Sequence, residues 1–203
     1  MKKILVLLIV SILFLTLVNA ETYTIRIGDT ILGTSIVNKI SPESYHVTTT
    51  IDYGIVYTVE STTTYNGEFF KNYLVTFTVD GTVTAKISGQ YDGTEALFVF
   101  ETPQSSKTFK LTKKNLIILD NNFMIPHYEK LLETPSPIFE IVIPQALFNP
   151  GKTKDAVGIA TLKKLDDSFQ LLYKNEKVNI EKDESGIVKM EFPGFVTVER
   201  SLR

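Results

Sequence analysis

The sequence predicts a mainly β protein. It reads as a single highly curved antiparallel sheet of about a dozen strands, a half-barrel, covered by one short helix near residues 122–133. Three observations predict this. From Tyr23 onward the apolar residues alternate with period two through most of the chain. Asn66-Gly67, Asp80-Gly81 and Asp92-Gly93 fall between alternating runs, where hairpin turns demand positive φ. Only between Leu116 and Glu133 does the spacing turn helical, with Phe123, His127 and Leu131 on one row and Met124, Tyr128 and Leu132 on the next. A lone helix with an apolar stripe has to bury that stripe against the sheet.

The first twenty residues read as an export signal. Lys2 and Lys3 precede an apolar run from Ile4 to Val18, and Val18-Asn19-Ala20 suits a signal peptidase cutting after Ala20. That run is short for a membrane anchor, so no stable membrane span is expected after cleavage. Residues 21–203 then form one domain located in a periplasm or outside the cell. The chain has no cysteine, which excludes disulfides, thiolate metal sites and acylation at a lipobox. Formal charge is −2, and losing two lysines with the signal makes it more negative. With no basic run, nucleic acid is not expected as a partner.

Tyr23 to Ile27 alternates, Gly28-Asp29 turns, and Thr30 to Val37 returns with Gly33 marking a bulge or a close backbone approach. Next come Tyr45, Val47, Ile51 and Tyr53 on one face, then Ile55, Tyr57 and Val59 after Gly54. Asn66-Gly67 predicts a type I′ hairpin into Glu68–Val79, with Phe69, Tyr73, Val75, Phe77 and Val79 sharing a face. Thr82 to Ile87 alternates again. Glu95 to Glu101 does not, because Leu97, Phe98, Val99 and Phe100 are consecutive, and such a strand is expected to be covered on both faces. The helix is the predicted cover. Lys107–Leu111 and Leu116–Leu119 are strands that lead into it, with Asn121 or Asn122 as cap and Pro126 in the first turn. Thr134-Pro135-Ser136-Pro137 ends it. Ile138–Ile143 is a strand stopped by Pro144, and Asn149–Asp155 is a loop. Short strands at Val157–Leu162, Phe169–Tyr173, Lys177–Ile180, Ile187–Phe192 and Phe195–Val198 complete the sheet.

Chemistry is sparse. The chain holds two histidines: His46 reads as solvated, and His127 lies on the apolar row of the helix. Asp120-Asn121-Asn122 reads as a helix cap, not a metal-binding loop, so no metal and no cofactor are expected. No nucleophile elbow, phosphate loop or zinc motif occurs, and nothing pairs Asp52, Glu60, Asp92 or Glu95 for hydrolysis. The expectation is therefore not an enzyme. The 13 Phe and 9 Tyr fall mainly on one strand face, and a curling sheet with one helix leaves room on its concave side. The expected function is a non-enzymatic binding module for a hydrophobic ligand. Tyr57, Tyr73, Phe77, Phe98 and Phe123 are the expected walls, and His127 is the polar contact. Two alternatives are a structural or assembly protein of the cell envelope with a filled core, and a hydrolase using a carboxylate pair.

Three stretches carry a resemblance. They are the hairpin Tyr23–Gly33, the stretch Leu119–Tyr128 that leads into the helix, and Ile180–Arg200, where Phe192-Pro193-Gly194 precedes the last strand. Together they resemble extracytoplasmic bacterial proteins with the LolA/LolB/LppX-like lipoprotein-carrier fold. That resemblance implies a half-open barrel whose apolar interior holds a lipid or a lipoprotein acyl chain. It supplies no catalytic residue.

Overall fold

A computed structural model describes residues 20–120, 122–149 and 151–201. The segment read as an export signal lies outside the described residues, except for Ala20, which begins the first strand. The strands through the first half are β1 (Ala20–Ile27), β2 (Thr30–Ser41), β3 (Ser44–Asp52), β4 (Val56–Asn66) and β5 (Phe69–Val79). They continue as β6 (Thr82–Tyr91), β7 (Glu95–Thr102), β8 (Ser105–Thr112) and β9 (Leu116–Ile118). Helix α1 (Ile125–Glu133), β10 (Ile138–Val142) and helix α2 (Pro144–Leu147) follow. The last strands are β11 (Val157–Lys164), β12 (Ser168–Tyr173), β13 (Glu176–Asp183), β14 (Gly186–Phe192) and β15 (Val196–Arg200).

All fifteen strands belong to one sheet, in the order 8-7-6-5-4-3-2-1-15-14-13-12-11-10-9. The mainly β, single-sheet architecture is therefore as expected, with somewhat more strands. Every neighbouring pair is antiparallel except β9 with β10. That exception has a consequence. The chain leaves the edge strand β8, turns inward through Asn115 at φ +54°, and brings β9 to rest inside the rolled sheet against β5. Leu116, Ile117 and Ile118 are buried on both faces of β9. Tyr91 holds this inward turn, its hydroxyl accepting from Leu116 N at 3.2 Å and lying 3.0 Å from the Lys113 carbonyl. The concave side is thus partly filled by the sheet's own edge.

Bulges decide which side chains enter the core. Around the turn, Asn66 pairs with Phe69, so Gly67 and Glu68 are the central residues, and only Gly67 has positive φ. This is the pattern of a type II′ turn and not the expected type I′. The type I′ pattern occurs at Asp80-Gly81, where both φ angles are positive. Beyond the first turn, Tyr65 faces Phe70 while Thr64 faces Asn72, leaving Lys71 as an extra residue. The bulge swings Phe70 into the core in the place expected for Phe69. The expectation for Gly33 is met: a Cβ there would lie 1.9 Å from the Thr50 carbonyl oxygen.

The strand around Phe98 is not covered on both faces. Phe98 and Phe100 face inward, whereas Leu97 on the outer face is 39 % exposed. The reason is that α1 occupies the concave side, where it meets β4, β5 and β14. His127 contacts Tyr65 and Tyr73, and Tyr128 packs edge-on to Phe192 with ring centroids 5.8 Å apart. Being surrounded, α1 buries Ile125, Pro126, His127, Tyr128, Lys130 and Leu131, more than one stripe. Its N-cap is Met124, without a side-chain cap, and Asn122 serves the preceding turn instead. Pro126 in the first turn removes one donor that a cap would otherwise have to satisfy. Pro144 does not simply stop a strand; it opens the four-residue helix α2, which the sequence reading missed.

Candidate ligand site beside the inner helix

Asp120 follows β9 and is buried. Its Oδ1 accepts the backbone N–H of Asn122 at 2.7 Å and the Asn122 side-chain amide at 2.6 Å, an Asx turn that sets the start of α1. Its Oδ2 accepts the Tyr73 hydroxyl and, at 2.7 Å, the Gln145 amide from α2. Gln145 Nε2 also lies 3.0 Å from the Tyr73 hydroxyl. Burial pushes the Asp120 carboxyl up from its ordinary value, against the pull of these hydrogen bonds. Burial and the neighbouring Asp120 push the Tyr73 hydroxyl well up. One carboxyl thereby ties β5, β9, α1 and α2 together.

A second polar contact stands beside it. The Tyr65 hydroxyl is 2.6 Å from His127 Nδ1. Burial pulls the imidazole down to about 3, so it is neutral at physiological pH, Tyr65 donates and Nδ1 accepts. The remaining proton sits on Nε2, which is buried without a partner among the described residues, as is Gln145 Oε1. Leaving such groups unpaired costs roughly 1–3 kcal/mol each.

Next to this set an apolar cavity of about 280 Å³ opens between α1 and strands β12 to β15. Phe123, Tyr128, Leu171, Val178 and Phe192 form its walls, with Asp120 at its inner end and Glu176 and Pro193 at its mouth. Phe123 and Phe192 meet edge-on at 5.2 Å, and Phe123 reaches this position from a left-handed φ of +58°. The Tyr128 hydroxyl makes no hydrogen bond among the described residues, and burial raises its pKa. A larger groove of about 910 Å³ lies on the other side of α1, lined by Glu21, Lys39, Tyr45, Glu129 and Arg200. Its charges of both signs suit an apolar ligand less than the smaller, apolar cavity does.

The residues expected as cavity walls are dispersed. Phe123 lines the cavity. Tyr73 is buried in the Asp120 network, and His127 is in the core against Tyr65. Phe98 lies fully buried in a stack with Phe70, centroids 5.7 Å apart, too tight for a Cβ on neighbouring Gly89. Phe77 is partly buried, and Tyr57 shares the inward parity of β4 but sits beyond the core, 42 % exposed. Sequence reading missed Tyr128 as a wall and missed β12 to β14 as its partners. The adjacent Phe192-Pro193-Gly194 was the available signal. The carboxylates considered for hydrolysis do other work. Asp92 accepts three hydrogen bonds from Thr94 and Glu95 in its own turn, Glu95 pairs with Lys110 at 2.6 Å, and Asp52 binds Gly54 N. None of them, nor Glu60, lines the cavity.

No protein-family model matches the chain, and no curated protein sequence matches it. Among solved structures, the chain is similar to the crystal structure of a β-barrel-like protein of domain of unknown function DUF1849 from Brucella abortus. The likeness covers 90 % of this chain and 94 % of that one at 12 % identity, with a TM-score of 0.51. At that identity the likeness is one of fold: this chain is a β-barrel-like protein.

Proposed function

We propose that this chain is an exported binding module for a single small apolar ligand, held between α1 and strands β12 to β15, and that it acts by binding without catalysis. The observation that carries the reading is the largely apolar cavity of about 280 Å³, on whose buried wall the Tyr128 hydroxyl makes no hydrogen bond among the described residues. A few polar groups in an otherwise apolar recess are how such sites orient a ligand. The cavity's size suits one acyl chain or a compact apolar molecule, not several chains at once. Its ligand carries a hydrogen-bond acceptor within reach of Tyr128. The resemblance to LolA/LolB/LppX-like carriers supports the same reading, as does the barrel-like fold. Asp120 is a poor candidate for a general base, because four donors already engage its oxygens.

Organic extraction of the purified protein followed by mass spectrometry, together with titration of a fluorescent fatty-acid probe, tests the proposal. Tyr128→Phe removes one hydrogen bond and is expected to weaken probe binding about two- to tenfold. Val178→Phe fills the cavity and is expected to abolish binding while the circular dichroism spectrum is kept. Recovery of no apolar compound with no probe binding, or binding indifferent to Val178→Phe, would refute it.

A second reading is a structural protein of the cell envelope with a filled core. It is favoured by the packed middle of the barrel, where Tyr23, Phe70, Tyr73, Ile87 and Phe98 are all essentially inaccessible. It predicts an envelope partner recovered in fixed proportion and no extractable ligand.

A further inference from the structure

The strand pairing sends the hairpins β1–β2, β3–β4, β5–β6, β7–β8, β12–β13 and β14–β15, and the connection from β10 to β11, to one end of the barrel. The two ends differ in chemistry. Among the described residues, eight of the fifteen exposed large hydrophobic side chains lie in or beside the tips at this end, and Ile40, Ile138 and Leu165 lie near the opposite tips. Ile31, Tyr53, Ile55, Val83 and Phe195 stand on four separate hairpins.

Phe195 is the sharpest case. It is 84 % exposed and holds a left-handed φ of +63°. A bulky residue is disfavoured at that φ, and an aromatic ring is disfavoured in water. Two local penalties coincide at one surface position, and the ring makes no aromatic or cation–π contact among the described residues. The backbone there is needed, since Gly28 N donates to the Phe195 carbonyl at 3.1 Å, but any side chain leaves that bond in place.

We propose that this end of the barrel docks onto a lipid surface, tips first. Ile31, Tyr53 with Ile55, and Val83 sit on separate hairpin tips, and Phe195 edges an open recess beside Asn175, Lys177 and Pro193. Apolar groups spread over several tips suit a deformable lipid interface better than a shaped protein partner. Tyr53 and Tyr57 are amphipathic rings of the kind that settle at headgroup depth. Charge complements them on one flank, where exposed Lys152 and Lys154 before β11 and Lys174 and Lys177 at β12–β13 face the same end. Lys174 pairs with Asp155, whereas Lys152, Lys154 and Lys177 make no salt bridge among the described residues. On that flank the four lysines face two acids, Asp155 and Glu176, whereas Asp29, Asp52, Asp80 and Glu101 stand on the other tips, so the positive excess is confined to the one flank. On the barrel wall Thr34, Thr50, Thr58 and Thr78 form one outward polar row across four strands. The cavity mouth at Glu176 and Pro193 opens at this same end. Docking would therefore present the mouth to the membrane, and this purpose rests on the ligand-binding reading; the docking itself does not.

The cysteine-free sequence supplies the test. Ile55→Cys and Phe195→Cys place an environment-sensitive fluorophore at the docking end, and Asp167→Cys places it at the opposite tips. Each labelled full chain is mixed with vesicles of phosphatidylcholine alone or of three parts phosphatidylcholine to one part phosphatidylglycerol. The expected result is a blue shift and severalfold brighter emission at positions 55 and 195 with vesicles, greater with the anionic lipid, and none at 167. Ile55→Ser combined with Phe195→Ser is expected to cut vesicle affinity at least about tenfold, with apolar-probe binding unchanged. Because only the position of the label is compared, attachment through residues 1–19 cannot mimic the pattern. Emission at 55 and 195 that ignores vesicles, or that changes equally at 167, overturns the proposal. So does a shift that depends on protein concentration without lipid, which would place a second copy of the chain on these tips. Probe binding measured separately in Val178→Phe shows whether the ligand reading fails on its own.

Discussion

Acidifying the protein from pH 7 to pH 4.5 is expected to weaken it through His127 in particular. The imidazole is buried, touches Tyr65 and Tyr73, and is pulled from an ordinary 6.5 down to about 3 by loss of solvation. The unfolded chain takes up the proton as pH falls through 6.5, and the folded chain does not until about 3. The stability His127 contributes is therefore complete above 6.5 and is lost progressively between 6.5 and 3. At pH 4.5, two units of pH at about 1.36 kcal/mol each give a loss of roughly 2.5–3 kcal/mol. Asp120 works the other way. Its carboxyl is raised, so the cost of burying its charge is relieved as the solution is acidified through its folded pKa. Comparing the wild type with His127→Gln removes that contribution, since Asp120 and the other carboxyls are common to both. Urea unfolding at pH 7 and pH 4.5 would show a wild-type stability loss larger than that of the variant by about 2–3 kcal/mol. Parallel losses in the two proteins would refute the claim that His127 is held neutral in the core.

Two further outcomes test the packing. Gly33→Ala puts a methyl group 1.9 Å from the Thr50 carbonyl, so the β2–β3 backbones must separate; a loss of about 2 kcal/mol or more is expected in the urea midpoint, where a relaxed strand glycine would gain. Phe98→Ala empties the stack beneath Phe70 and Gly89 and is expected to cost about 3–5 kcal/mol, with apolar-probe binding unchanged because Phe98 is not a wall of the cavity.

Period-two alternation was enough to read the strands, the hairpin tips and the mainly β class, because a strand with one buried face writes that face into every second residue. Helical spacing was likewise enough to find α1, and Gly33 announced a close approach that the structure contains. Alternation says which residues share a face, but not how far the sheet curls or what fills its hollow. That depended on contacts between residues far apart in sequence. The β9 edge folds inward against β5, so Tyr73 became core, and Phe98 packs against Phe70 and Gly89 instead of lining a cavity. One extra residue at Lys71 inverted the parity of its strand and exchanged Phe69 for Phe70, a local insertion whose cost only the packed interior repays. The cavity itself joins Phe123 and Tyr128 to Leu171, Val178 and Phe192, and Asp120 meets Tyr73 and Gln145 across the barrel. No spacing in the chain encodes those meetings, because they arise only when the whole sheet has rolled up and brought its last strands around the helix.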